Sequence, residues 1–270
     1  MRALIVLTLL RAAAPLLHAE PGRTAASVLQ RPLAARSAGM GEAFAAVDAG
    51  VDSLGYNPAG AARLARPELA SSYNSGIAGD DFGFLGYAHP LSLATLTAGF
   101  VYYDAGSVNL SFSDGRQESR TAEKDMAALL GLGAPLGWGL CIGGTAKVFR
   151  LELAEEVKAA GYAADLGALW HTPLKGLNLG VSLQNLGPDV KFEEEGDPLP
   201  QTIRFGAAYG FNLDNLDWFR EGGLGFSRFL FTADAVKARD ENDVLPSAGL
   251  EMGIPWGAQS YGALRAGYMF

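Results

Sequence analysis

From Glu68 onward the chain alternates apolar residues with small or polar ones at a period of two. Ile203, Phe205, Ala207, Tyr209 and Phe211 share one set of positions, and Arg204, Gly206, Ala208 and Gly210 the other. Leu177, Leu179, Val181 and Leu183 alternate with Asn178, Gly180, Ser182 and Gln184. Tyr162, Ala164, Leu166, Ala168 and Trp170 alternate with Ala163, Asp165, Gly167, Leu169 and His171. Near the end, Ala248, Leu250, Met252, Ile254 and Trp256 oppose Gly249, Glu251, Gly253 and Pro255. Such alternation places a greasy face and a polar face on opposite sides of a strand. It predicts strands over 68–75, 82–89, 93–103, 124–136, 140–151, 161–172, 177–185, 202–211, 226–236, 246–256 and 261–270, about eleven in all.

Two architectures use strands of this kind, soluble sandwiches and membrane barrels. Crossing the hydrocarbon at a tilt takes ~9–11 residues per strand, with aromatic residues gathered at the ends. Trp170, Trp256, Phe211 and Tyr209 stand at segment ends. The non-greasy face carries Asp165, Gln184, Arg204 and Glu251 among many glycines. That suits a wet or plugged lumen, whereas in a sandwich core buried charges are costly. The pattern therefore predicts an all-β, antiparallel transmembrane barrel. The connections mostly alternate in length, as between the two sides of an outer-membrane barrel. Those at 90–92, 137–139 and 173–176 are short, and those at 104–123, 152–160 and 186–201 are long. Residues 212–225 break the rule with a long connection on the short side. It contains Trp218 and Phe219, which suggests a small amphipathic helix at the interface.

Residues 36–60, RSAGMGEAFAAVDAGVDSLGYNPAG, do not alternate. Glycines and alanines dominate, and Asn57-Pro58 sets a turn because proline fixes its own φ and pushes the preceding residue out of helix. Small residues let backbone fold tightly in a confined space. A short surface helix followed by a loop is the plain alternative.

This stretch resembles the N-terminal signature of the PorV/PorQ-like branch of FadL-type outer-membrane proteins. The matching residues are Arg36, Ser37, Gly39, Met40, Gly41, Ala43, Phe44, Asp52, Asn57, Pro58, Ala59 and Gly60. Glu42 departs from the family's glycine and predicts a looser turn there. The resemblance extends through Asp165-Leu166-Gly167, Asn185-Leu186-Gly187-Pro188, Pro198-Leu199-Pro200 and Arg204-Phe205-Gly206. It continues in Asp234-Ala235-Val236-Lys237, Gly249-Leu250-Glu251 and Leu264-Arg265-Ala266-Gly267-Tyr268. It implies a small hatch that plugs the barrel from the periplasmic side. It also implies either passage of small hydrophobic molecules across the outer membrane or a PorV-like part in type IX protein secretion, receiving exported proteins. Family barrels have roughly fourteen strands, so about eleven here predicts a chain lacking the last strands, or one completed by a partner. An odd count would also bring the first and last strands together in parallel. Against this, Leu264, Ala266, Tyr268 and Phe270 alternate and end on an aromatic, as a terminal barrel strand does.

No apolar run reaches the ~18 residues of a transmembrane helix. Met1-Arg2, the apolar run 3–10 and Leu17-His18-Ala19 predict a secretory signal peptide over 1–19, with a buried first helix as the alternative. The expected organisation is thus a signal peptide (1–19), an N-terminal plug (20–67) and a barrel (68–270), in the bacterial outer membrane. The one cysteine, Cys141, excludes an internal disulfide and, lacking a basic neighbour in sequence, is expected as a small apolar filler. A net charge of −8 argues against a nucleic-acid partner. The acidic clusters 80–81, 155–156, 193–195 and 240–243 fall between segments and are expected as solvated loops, with a calcium site at 240–243 as the alternative.

Candidate chemistry is sparse. His18, His89 and His171 form no metal-ligand spacing with one another or with Cys141. Residues 131–137, GLGAPLG, lack the strand–turn–helix setting of a dinucleotide loop. No serine has an evident acid–base partner, so neither an enzyme nor a cofactor is expected. Asp165, Gln184, Arg204, Glu251 and Arg265 are the lumen-facing candidates, placed either to pair with the plug or to line a passage. The expected partners are outer-membrane lipid and either small hydrophobic molecules or exported proteins. A soluble secreted sandwich is the remaining reading.

Overall fold

The computed structural model describes residues 24–77, 79–111, 117–154, 157–192, 196–212, 228–239, 241, 243–256 and 260–270. The expected leader (1–19), most of the 212–225 connection with Trp218 and Phe219, and parts of the acidic clusters, Asp240 and Asn242 among them, lie outside these residues.

Eleven strands form one antiparallel sheet. They are β1 (Glu68–Ser75), β2 (Asp81–Pro90), β3 (Thr95–Asp104), β6 (Glu123–Gly137), β7 (Leu140–Leu153), β8 (Val157–His171), β9 (Leu177–Leu186), β12 (Thr202–Asn212), β13 (Arg228–Ala238), β14 (Leu245–Trp256) and β15 (Ser260–Met269). Each pairs with its predecessor in that order, and among the described residues the sheet does not close between β1 and β15. The long connections hold two hairpins of their own, β4 (Ser107–Ser111) with β5 (Gln117–Thr121), and β10 (Val190–Lys191) with β11 (Gly196–Asp197). Below, the near end of the sheet is the end where the chain enters β1, and the far end carries these hairpins.

The two faces of the sheet are chemically inverted. On β7 and β8, Lys147 and Asp165 are 2% and 1% exposed, while their neighbours Val148 and Leu166 are 59% and 54% exposed. Arg204 is buried beside an exposed Phe205, and Leu130 and Tyr162 also stand exposed on the same outward face. Period-two alternation carries the apolar outward face along the strands, while the inward face sets these polar groups beside apolar residues such as Phe149 and Leu151.

Residues 24–67 fill the inward side. They contain 3₁₀ turns at Ser27–Gln30, Gly50–Gly55 and Pro58–Ala61 and one short helix, α1 (Ala35–Gly39). With so few long side chains, this segment gains little from regular helix and much from packing. At the far end Val28 and Leu33 join Phe84, Phe149, Leu151 and Leu199 in one apolar cluster. Nearer the other end Met40, Phe44, Tyr56 and Ala59 form a second with Cys141, Leu169 and Ala208. Met40, Phe44 and Leu54 are fully buried, each contributing roughly 1.5–3 kcal/mol of apolar burial. The segment thus runs the height of the sheet, from the Ala25 N–H donating to the Pro198 carbonyl at the far end to Pro58 at the near end.

Candidate functional site

The inner segment is held by a wall cut to its shape. A Cβ on Gly133 of β6 or Gly143 of β7 would run into the Pro58 backbone, and one on Gly167 of β8 into the Asn57 side chain. Gly180 of β9 faces Ala45, and Gly249 of β14 and Gly267 of β15 face Met40. Successive strands therefore leave their glycines where the segment's backbone touches them, a close approach that no side chain permits.

Asn57 is the centre of this seat. Its Nδ2 donates to the Ala45 carbonyl (2.6 Å) within the segment and to the Ala168 carbonyl of β8 (3.0 Å). Its Oδ1 accepts from the Ala59 N–H (3.1 Å), capping the turn that Pro58 begins and that holds Gly60. All four residues of the Asn-Pro-Ala-Gly string are buried.

Polar groups supply the rest of the grip. Ser182 Oγ donates to the Tyr56 carbonyl (2.7 Å), and Gln184 Nε2 to that of Gly55 (2.8 Å). Asp234 of β13 accepts from the N–H groups of Phe44 (2.8 Å) and Ala45 (2.9 Å). Arg204 donates to the Glu42 carbonyl (2.9 Å) and lies 3.5 Å from Asp234. Arg36 of α1 grips Glu251 through Nε (2.9 Å) and a terminal nitrogen (3.1 Å), and Arg265 donates to the same carboxylate (2.6 Å). The wall contributes the charges and the segment mostly backbone, so each pairing satisfies a group that would otherwise be buried alone.

Three of the five lumen-facing candidates, Gln184, Arg204 and Glu251, thus bond the segment directly. Arg265 acts through Glu251, and its stem packs where a Cβ on Gly39 would fall. Asp165 bonds the wall instead. It pairs with Lys147 (2.7 Å) and accepts from the Asn185 N–H (2.7 Å), while Lys147 donates to Asn185 Oδ1 (2.7 Å). Asn185 sits at φ 56° where the β8–β9 register shifts, and its side chain donates to the Pro200 carbonyl. The short phrases of the sequence are therefore paired in space: Asp165 with Asn185, Arg204 with Asp234, and Glu251 with Arg265.

The remaining signature residues support the fold of the segment. Ser37 Oγ donates to the Ala34 carbonyl, and the Ser37 carbonyl accepts from the N–H groups of Met40 and Glu42. Gly41 and Glu42 both take left-handed backbone, φ 59° and 58°. The looser turn expected from Glu42 is not found, because the Ser37 carbonyl and Arg204 hold it in the glycine-like conformation at a cost of about 1–2 kcal/mol. Burial pushes the Glu42 carboxyl up, opposed by Arg204. Burial likewise raises Asp52, to about 6; Arg36 and Arg265 oppose this, while Glu68 and Glu251 reinforce it.

Ser182 and Asp234, which bond the segment, and Lys147, which pairs with Asp165, are the residues that sequence reading does not single out as a site. Each lies at a polar position of an alternating segment, which was the available signal. Cys141 is fully buried, and the fold brings Arg63 and His171 beside it, although its own sequence neighbours are not basic. A cavity of about 460 Å³ remains between α1 and β13–β15, lined by Arg36, Arg228, Phe229, Leu230, Glu251 and Arg265. Among the described residues no group of three or more His, Cys, Asp or Glu is placed to hold a metal. No helix among them is long and apolar enough to cross a membrane. No family model matches the chain, and no curated protein matches it.

Proposed function

We propose that this chain is an outer-membrane β-barrel protein resembling the FadL-type, PorV/PorQ-like proteins, with the eleven-stranded sheet as its transmembrane wall and residues 24–67 as its plug. On this reading the leader (1–19) directs export, and small hydrophobic molecules cross the outer membrane beside the plug. One observation carries the membrane reading: large apolar side chains cover the outward face while Lys147, Asp165, Arg204 and Glu251 are buried inward. A water-facing surface rarely carries so wide an apolar face, whereas lipid requires one.

The cavity beside α1 is open space between plug and wall, with Phe229 and Leu230 as its apolar lining. The test is binding and uptake of a long-chain fatty acid or an aromatic hydrocarbon by the full chain in lipid vesicles. Uptake above empty vesicles, reduced by Asn57→Ala more than thermal stability is reduced, supports the reading. Absence of both binding and uptake contradicts it.

The far-end hairpins favour a second reading. β4–β5 and β10–β11 stand together at the far end of the sheet, where contacts with an exported protein in type IX secretion would be made. Co-purification of such a protein, with no small-molecule uptake, would select this reading.

A further inference from the structure

A separate contact ties the plug to the near end of the wall. His171, the last residue of β8, lies with Nε2 2.9 and 3.0 Å from the carboxylate oxygens of Asp48. Its Nδ1 lies 3.1 Å from the Gly139 carbonyl oxygen, in the turn between β6 and β7. A carboxylate and a carbonyl oxygen only accept, so both ring nitrogens must carry protons for both bonds to exist. The neutral ring has one N–H and satisfies one partner only.

The position of Asp48 gives this contact leverage. Its neighbours Val47 and Ala49 are buried, and the Ala49 N–H donates to the Gly60 carbonyl (3.0 Å), joining the two halves of the plug. The side chains of His171 and Asp48 are 16% and 49% exposed, so the pair exchanges protons with solvent. The other titratable or charged groups at this corner are Cys141, with Sγ 4.0 Å from Nδ1, and Arg63 beyond the thiol.

We infer that Asp48 and His171 form a proton-dependent latch between plug and wall, closed when the ring is doubly protonated and released on one side when it is neutral. Raising the pH favours the neutral ring, so the latch loosens in that direction, and histidine as a residue type makes the interval around neutrality the one to probe. This concerns how the plug is attached and holds whichever substrate or partner the protein serves.

Hydrogen exchange of peptides covering 44–62, measured on the full chain in vesicles and corrected for intrinsic rates, tests it. Protection in the wild type falls about 2- to 10-fold between pH 5.5 and 7.5, the range of one hydrogen bond. Made in an Asp52→Asn background, which removes that carboxyl's own pH dependence, His171→Gln and Asp48→Asn flatten the change that remains. Protection independent of pH in the wild type, or unchanged pH dependence in His171→Gln, overturns the latch. Should a variant fail to fold, ¹⁵N shifts of the wild-type His171 ring decide: a doubly protonated ring at pH 6 supports it, and a singly protonated one overturns it.

Discussion

Lys147 and Asp165 face each other at 2.7 Å across β7 and β8, with both side chains 1% exposed. The next residue on each strand, Val148 and Leu166, is more than half exposed. The ion pair therefore occupies the interior and the aliphatic side chains the exterior, the reverse of a water-soluble sheet.

Breaking this pair leaves an uncompensated buried charge. Asp165→Asn is expected to destabilise the wall by about 3–5 kcal/mol, and Lys147→Met with Asp165→Leu by much less. Urea unfolding in vesicles, followed by tryptophan fluorescence, measures the difference. Equal losses in the single and double variants would contradict the account.

The glycine seat makes a positional prediction. Gly143→Val drives a side chain into the Pro58 backbone and displaces the plug, while Gly83→Val on β2 meets nothing within 4 Å. Limited proteolysis at 36–60 should speed up for Gly143→Val and stay unchanged for Gly83→Val. Similar cleavage of the two would mean that the seat does not hold the plug.

Alternation alone located the strands. The expected segments at 68–75, 140–151, 177–185 and 202–211 match β1, β7, β9 and β12 to within about two residues, because one buried and one exposed face fix both period and register. The hairpins β4–β5 and β10–β11 were read as loops: two- and five-residue strands are too short for a period to show. The polar candidates were legible because charge at an inward position is costly and must be paired. Asp234, Ser182 and the matching glycines were not, since their role depends on which part of residues 24–67 each strand meets. The Asp48–His171 contact joins positions far apart in sequence and has no local signal at all.

Glu42 holds left-handed backbone at φ 58° with its carboxyl displaced upward by burial. Glu42→Gly removes both penalties and should stabilise by about 1 kcal/mol, less the entropy glycine loses on folding. A higher unfolding midpoint in urea checks this, and a lower one would show that the Glu42 side chain contributes a stabilising contact.

Asp52 sets a second pH dependence in the plug. Burial raises its carboxyl to about 6, above the unfolded value near 3.9, so the neutral form is favoured by folding. Its contribution is complete below about pH 4 and is lost as pH rises through about 6, amounting to at most ~3 kcal/mol. Asp52→Asn should flatten the stability profile between pH 4 and 7, measured by thermal melting across that range. A profile unchanged by the substitution would place the dependence elsewhere.

The most direct test of the membrane reading is the surroundings of Val148. A nitroxide placed there by Val148→Cys in a Cys141→Ala background, with the protein in lipid vesicles, reports collisions with oxygen and with a water-soluble nickel complex. High oxygen and low nickel accessibility is the result for an outward face immersed in hydrocarbon. High nickel accessibility would put that face in water and contradict the transmembrane wall.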